Sequence, residues 1–471
     1  MALMEQLPEE MLFTLINPSA PPSLGPRLGR LSFPGRSIVE TPHYLGISSR
    51  GVVPHISQDT LRAHTRISPL YAALEDFIEK GPQDTPPLYK IEPDKSQSSL
   101  RRFIALPSDQ TLVLAPRRIN PVPCPSANSN TAVSVLTSVG FRQLSSDEYA
   151  EAAARLRPDI AIGMADVVNA EKSSVKRTAK MSDRTASWLS DLLQQSCSQV
   201  EDAGSTSPGT AIFAPILPIP KEQQKEYLHT LQTDFRTQLR GLALYDPGFA
   251  ADIPEPLTSL PRMSLGPPKS PHHILQQISL GLDLLTIPFI NDATDAGIAL
   301  SFTFSAPPPT APSSPSPLGI DMWPVTHSTD ISPLTVGCTC YACTRHHRAY
   351  VQHLLAAKEM LGWVLLQVHN HRVLDDFFAG VRASIVAGRF ERDVEAFSRA
   401  YEPELPAKTG QGPRVRGYQF KSEGPGEPKR NPAAYTTLDD TKERLAEAAV
   451  PSPNVESTEL EAKGFAEKAW N

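Results

Sequence analysis

Three cysteines fall close together in GCTCYACTRHH, at Cys338, Cys340 and Cys343. A C-x-C-x2-C set of this kind presents three thiolates to three corners of one tetrahedral ion. Soft sulfur ligands favour zinc, and a closed set of four ligands makes the ion structural, one per chain, rather than catalytic. Spacing leaves the fourth ligand open, because His346, His347, His353, His369 and His371 all follow. An imidazole close by would give a compact knuckle, whereas His369 would clip two distant elements together. Residues 344–368 read as helix, and one straight helix of that length would carry its end about 37 Å away. His369 can close the site only if the chain doubles back, which a break near residues 356–362 would allow. Cys124 and Cys197 have no His, Lys or Arg beside them in sequence and read as incidental.

The elements that must position this cluster show as short β-branched or apolar runs that alternate with helical patterns. The runs are Arg102–Leu106, Thr111–Leu114, Asp159–Met164, Ala211–Leu217, Arg240–Tyr245 and Ile298–Phe304. The helical patterns include Ser146–Leu156, Ser182–Gln195, Lys221–Thr237 and Pro271–Leu280. Such alternation predicts a parallel sheet closed or covered by helices, with spacing that suits a (β/α)8 barrel. Periodicity alone does not separate a barrel from an open doubly wound sheet. Ser196–Thr210 and Ala306–Pro317 read as surface linkers, in line with 47 prolines, about twice the usual ~5%. Residues 405–471 are rich in Lys, Glu, Gly, Pro and Ser and read as a disordered tail, with one short helical candidate at Thr437–Ala449.

The 471 residues carry 45 Lys+Arg against 51 Asp+Glu, a net charge of −6, which excludes non-specific polyanion binding through global charge. Any RNA contact is local or supplied by a partner. Lys176, Arg177, Lys180 and Arg184 form the clearest basic cluster, with an ordinary solvated helix face as the plain alternative. Glu5, Glu9 and Glu10 stand where a secretory signal would be basic, and no apolar run reaches membrane-spanning length. The cysteine pattern is not that of a secreted disulfide framework, so a soluble, reducing compartment fits.

The stretch GCTCYACTRHHRAYVQHLLAAKEMLGWVLLQVHNH resembles the zinc-binding segment of the tRNA-guanine transglycosylases, which exchange a guanine in tRNA for a 7-deazaguanine base. That segment runs C-x-C-x2-C-x25-H followed by Asn, and Cys343 to His369 has the matching gap with Asn370 next. The resemblance implies Cys338, Cys340, Cys343 and His369 as ligands. It implies a (β/α)8 TIM barrel over residues 1–404, with a zinc-binding helical subdomain inserted at about 330–400. Weaker similarity extends from Gly29-Arg30-Leu31 and Thr41-Pro42 to about Arg399.

The stations that carry chemistry in this family are altered. The catalytic pattern G-(V/I)-D-(M/L)-F-D, whose last Asp attacks the ribose, corresponds to Gly281 through Thr286, with Gly297 eleven residues beyond. A threonine hydroxyl is not ionised near pH 7 and cannot replace that carboxylate. No arginine stands in the following IPFINDATDA, where the family holds tRNA. The D-S-G-G-F-Q station aligns with Thr137 through Arg142, and G-G-L-A-V-G-E with Arg240 through Asp246, where the Arg240 side chain is expected to crowd a close backbone approach. Asp166 aligns near a base-reading Asp. The Thr286 substitution and SRGVVPHIS at Ser49–Ser57 resemble the non-catalytic accessory branch of the family.

That likeness implies a heterodimer with a catalytic subunit that exchanges guanine for queuine at the wobble position of tRNAs with GUN anticodons, which decode Asp, Asn, His and Tyr. It implies tRNA contact through the complex and a cytoplasmic location, with peripheral attachment to the outer mitochondrial membrane. Tyr350, His353, Leu354, Leu361 and Trp363 are expected to include partner-facing positions, while Val351, Leu354, Leu355 and Met360 have core spacing. Two alternatives are an active transglycosylase that uses Asp283 or Asp295, and a zinc-stabilised scaffold unrelated to tRNA modification.

Overall fold

The computed structural model describes residues 10–413, apart from 17–23, 79–84, 94–96, 125, 138–139, 168–174, 203–208 and 305–314. The candidate helix Thr437–Ala449 and the rest of 414–471 lie outside the described residues, as does most of the Ala306–Pro317 linker. Three short strands, β1 (Leu12–Leu15), β2 (Gly29–Ser32) and β3 (Val39–Thr41), form an antiparallel sheet ahead of the main body. Eight parallel strands then close on one another in sequence order: β4 (His43–Ile47), β5 (Leu70–Ala73), β6 (Leu112–Ala115), β9 (Ile160–Ile162), β10 (Ala211–Ile216), β11 (Leu239–Leu244), β12 (Arg262–Ser264) and β13 (Leu284–Thr286). The hairpin β7 (Ala132–Thr137) and β8 (Gly140–Ser145) interrupts the sequence but stands outside the barrel.

Closure follows from two-sided apolar strands, since alternate residues of a strand point to opposite faces. Leu45, Tyr71, Val113, Ile162, Phe213 and Met263 fill the interior, capped at its base by Leu31, Phe33 and Val39 of the N-terminal sheet. Their neighbours Tyr44, Leu70, Leu114, Ala161, Ile212 and Leu244 face outward under the helices. The helices are α1 (Gln58–His64), α2 (Ser99–Phe103), α3 (Ser146–Leu156), α4 (Val175–Asp202), α5 (Lys225–Thr233), α6 (Pro271–Ser279) and α7 (Phe289–Asp295). At the start of α3 the Ser145 hydroxyl accepts the Glu148 amide at 3.1 Å, which closes the first turn. Beyond the barrel, β14 (Ile298–Leu300) pairs antiparallel with β15 (Gly319–Asp321), and α8 (Tyr341–Arg345), α9 (Arg348–Ala356), α10 (Met360–Val386) and α11 (Phe390–Ala400) complete the described chain.

Several expectations are corrected. Arg102–Leu106 is not a strand: Ser98 caps α2, and the buried Arg101 guanidinium meets Asp159. Ile298–Phe304 contributes β14, outside the barrel. The first part of Ser196–Thr210 continues α4 to Asp202, and Lys221–Thr237 shortens to a 3-10 turn followed by α5. Met360 is exposed at 53% rather than core. Residues 405–413 are placed against the folded body, with Leu405 packed on the core. The helical hairpin expected near residues 356–362 is present, since α9 ends at Ala356, Lys358 takes a left-handed φ of 56°, and α10 begins at Met360. Among the described residues no helix is long and apolar enough to cross a membrane.

Candidate metal centre and barrel mouth

The α9–α10 reversal brings His369, buried in α10, back to the loop that carries the cysteines. Its Nδ1 lies 3.7 Å from Cys338 Sγ, 3.6 Å from Cys340 Sγ and 3.4 Å from Cys343 Sγ. All four ligand atoms lie within 4.8 Å of one another, so the set could hold a metal ion. The other ring nitrogen fixes the tautomer: Nε2–H donates to the Leu300 carbonyl at 2.9 Å, which leaves the Nδ1 lone pair facing the sulfurs. Asn370 supports the same strand, accepting the Leu300 amide at 2.8 Å and donating to Ile298 O at 3.0 Å and Thr294 Oγ1 at 2.9 Å. Burial pulls the His369 pKa down, but the nearby Cys338 and Cys343 sulfurs outweigh it and raise it to about 9. Hydrogen bonds with Cys340 and Cys343 lower the Cys338 thiol, and those with Cys338 and Cys343 raise Cys340. A crowd of sulfurs competing for protons in this way is a donor set suited to a soft divalent cation.

The other histidines are engaged elsewhere. His346 stacks on Tyr350, His347 Nδ1 caps α9 by accepting the Tyr350 amide at 3.2 Å, and His353 is exposed. His371 is buried against the Tyr44 hydroxyl at 3.1 Å, and burial lowers its pKa to about 3. Of the expected partner-facing residues, Leu354 and Trp363 are buried core, while His353 and Leu361 are exposed. Leu361 shares the surface of this segment with the exposed Val325, Ile331, Val336 and Met360.

At the carboxyl ends of the barrel strands lies a cavity of about 460 Å³, lined by Tyr71 of β5, by Arg117, Val167, Tyr245 and Asp246 from successive strand-end loops and by Gln277 of α6, among others. This is where a barrel of this type carries its chemistry. Thr286 ends β13 but does not line the cavity. It is fully buried, and its hydroxyl donates to the Ser264 carbonyl at 3.0 Å. Asp166 is also fully buried: Arg177 grips both its oxygens at 2.7 and 2.9 Å, Arg184 donates at 2.9 Å and Asn128 at 2.7 Å. Arg177 and Arg184, half of the basic cluster read as an RNA contact or a solvated face, are thus turned inward onto one carboxylate. Their seven-residue spacing on α4 puts them on one helix face, which is the sequence signal for this arrangement.

Asp283 and Asp295 do not reach the cavity. Asp283 stands before β13, at the opposite end of the barrel, clasped by Arg27 and by the Arg262 amide at 2.7 Å. Asp295 ends α7 and meets His55 Nε2 at 2.6 Å. Two acidic residues that sequence reasoning missed, Glu75 and Asp76, follow β5 but are also sequestered. Glu75 accepts the amides of Arg118 and Leu136 at 2.6 and 3.2 Å, and Asp76 accepts Arg118 Nε and the Arg50 amide at 2.5 and 3.0 Å. Burial raises the Glu75 carboxyl above its ordinary range. Asp246, whose carboxylate caps the Gly248 amide at 2.8 Å, is the acidic residue lining the cavity.

Two sequence alignments are corrected here. Thr137 ends β7 and Gly140–Arg142 open β8, an antiparallel pair outside the barrel rather than a barrel strand end; the barrel strand before them ends at Ala115 and continues into Pro116, Arg117 and Arg118. Arg240 does not crowd the mouth, because it lies near the start of β11 with its guanidinium on the Thr237 carbonyl at 2.7 Å. The aromatic side chain that β11 supplies to the mouth is Tyr245, whose phenol burial pushes up to about 12.

A closed barrel of eight parallel strands, followed by a Cys3His cluster that could hold a metal ion, defines a TIM-barrel protein with an appended helical segment. The family model described as "Queuine tRNA-ribosyltransferase" matches residues 23–403, and the chain belongs to that family. It is similar to "Queuine tRNA-ribosyltransferase accessory subunit 2" of Schizosaccharomyces pombe, at 35% identity over 81% of this chain and 83% of the relative. Proteins of the same description in Gallus gallus (27% identity, 77% of this chain and 92% of the relative) and Xenopus laevis (28%, 78% and 95%) are similar over most of their lengths.

Proposed function

We propose that this chain is the non-catalytic subunit of a heterodimeric queuine tRNA-ribosyltransferase, serving the exchange of guanine for queuine at the wobble position of GUN-anticodon tRNAs without performing the chemistry itself. The observation that carries the reading is the barrel mouth. Thr286, at the nucleophile station, is buried on a backbone carbonyl, and Asp166 is neutralised by two arginines. Neither group can attack an anomeric carbon or read a base. The Cys3His cluster meanwhile keeps its geometry, so what persists is the part of the molecule that shapes a surface.

In this reading Cys338, Cys340, Cys343 and His369 hold one zinc ion, which supplies folding energy rather than catalysis, because four protein ligands leave no open position. The exposed apolar residues Val325, Ile331, Val336, Met360 and Leu361 on that segment are suited to a catalytic partner. The pair works in the cytoplasm. The reading is tested by mixing this chain with the catalytic subunit, then measuring complex mass by light scattering and metal by atomic emission. A one-to-one complex with zinc on this chain supports it, whereas two proteins that stay apart at micromolar concentration refute it.

A further inference from the structure

Residues 405–413 continue past the family match, which ends at 403, yet they are laid along the segment that carries the metal cluster. Gly410 rests so close to the Trp323 indole that a Cβ there would sit 2.1 Å from the ring. The nitrogen-bearing ring of the same indole also lies against Gly297, whose φ of +77° and 2.4 Å clearance leave no room for a side chain. Trp323 Nε1 donates to Ala296 O at 2.9 Å, so the ring is fixed between α7 and the passing backbone. On either side of Gly410 the chain is tied again: the Thr409 hydroxyl donates to the Asp321 carboxylate, and Gln411 Oε1 accepts Lys358 Nζ, from the α9–α10 turn, at 2.8 Å. Gly412 follows close on the Asp295 carbonyl, 3.3 Å from where its Cβ would be.

These anchors bear on the cluster through a two-stranded sheet. Asp321 ends β15 and pairs with Ile298 of β14, and two residues further on β14 presents the Leu300 carbonyl that holds His369 Nε2. The Lys358 anchor lies at the reversal that returns His369 to the cysteines. The two places where the strap is tied by side chains are thus the sheet that orients the histidine ligand and the turn that delivers it.

We infer that residues 405–413 are a positioning strap for the metal centre: docking on Trp323, Asp321 and Lys358 tightens binding of the ion held by Cys338, Cys340, Cys343 and His369, and the bound ion in turn holds the strap down. The inference rests on the cluster holding a metal. Thermodynamic linkage requires the effect to be reciprocal, because whatever factor the docked strap adds to metal affinity the metal adds to strap docking.

The test uses the full chain and its Gly410→Val and Thr409→Ala variants, which leave every ligand and the barrel core untouched. Zinc affinity is measured by competition against a chelator, with a metal-sensitive dye as the readout. Trypsin cleavage after the exposed Lys408 is followed in metal-loaded and metal-stripped parent chain. Zinc affinity on the order of 5-fold weaker or more is expected in both variants, with a rise in Lys408 cleavage once the parent is stripped. Zinc affinities equal to the parent's in both variants, with Lys408 cleavage indifferent to metal, would overturn the strap. A parent chain that retains no metal after purification in zinc would overturn the metal reading itself, and the strap's role with it. The cleavage experiment needs no variant, so the inference stays testable even if a substitution impairs folding.

Discussion

Replacing Asp166 by Asn should damage the fold and spare the chemistry. The carboxylate is fully buried and receives four hydrogen bonds, three from the guanidinium groups of Arg177 and Arg184 and one from Asn128. Asparagine keeps the shape but removes the charge, and its amide nitrogen must then face cationic donors. Removing one partner of a buried ion pair costs about 3–5 kcal/mol. The arginine side chains keep some access to water, at 27% and 13% exposure, which places the cost at the low end, about 3 kcal/mol. In a folded chain of this size that lowers Tm by about 4 °C. Differential scanning calorimetry measures the loss. A double-mutant cycle with Arg177→Met should show the two substitutions costing less together than their sum, because the second removes a charge the first has orphaned. Base exchange by the complex, assayed well below the variant's Tm, should match that of the parent. The reasoning is refuted if Asp166→Asn leaves Tm unchanged and abolishes exchange, since Asp166 would then be reading a base.

Further outcomes follow from the metal segment and its surroundings. His369→Ala should lose the ion; structural zinc contributes on the order of 10 kcal/mol to folding in small metal-bound peptides, so residues 330–400 should exchange their amide hydrogens ahead of the barrel. Exchange that stays uniform across both would contradict the assigned role. Asp375, which accepts the Tyr44 hydroxyl at 2.9 Å, has its carboxyl raised by burial to about 6. Its native form therefore binds a proton that the unfolded chain releases near pH 4, so stability is lost as pH rises from about 4 to about 6. Asp375→Asn should remove that loss, gaining up to roughly 3 kcal/mol on the parent across this window in urea titrations. The buried His43 and His371, both lowered to about 3, act in the opposite direction, so the comparison must be made between variant and parent. Met360→Glu with Leu361→Glu, both exposed, should leave Tm in place and weaken binding to the catalytic subunit by at least about tenfold in calorimetric titration. By contrast, Leu354→Ala, which empties a core position, should cost about 3 kcal/mol of stability.

How much of this could be read in the sequence depended on how local each signal was. The cysteine triplet and the helix break lie within some thirty residues, and both stood in the pattern. The choice of His369 did not follow from spacing, because it rests on Leu300 O, a backbone acceptor about seventy residues earlier that holds the ring. The alternating strands and helices gave a parallel sheet and left its closure to the family resemblance, yet Arg102–Leu106 looked like a strand until Ser98 capped a turn and Asp159 claimed Arg101. Alignment of single stations was weakest where an insertion intervened. The β7–β8 hairpin carries a Gly-Phe pair that mimics a strand-end motif, and periodicity cannot tell an antiparallel excursion from a barrel strand. Composition likewise assigned 405–471 to a tail as a block, whereas Thr409 and Gly410 are placed by single contacts that no compositional average registers.

The most direct test of the central claim is guanine exchange on a GUN-anticodon tRNA, measured with labelled base for this chain alone, for the catalytic subunit alone and for the two mixed. Exchange in the mixture at a rate well above either protein alone, with none from this chain by itself, is the predicted result. Turnover by this chain alone would contradict the account and require a carboxylate elsewhere than at the Thr286 station, with Asp246 at the mouth the first to examine.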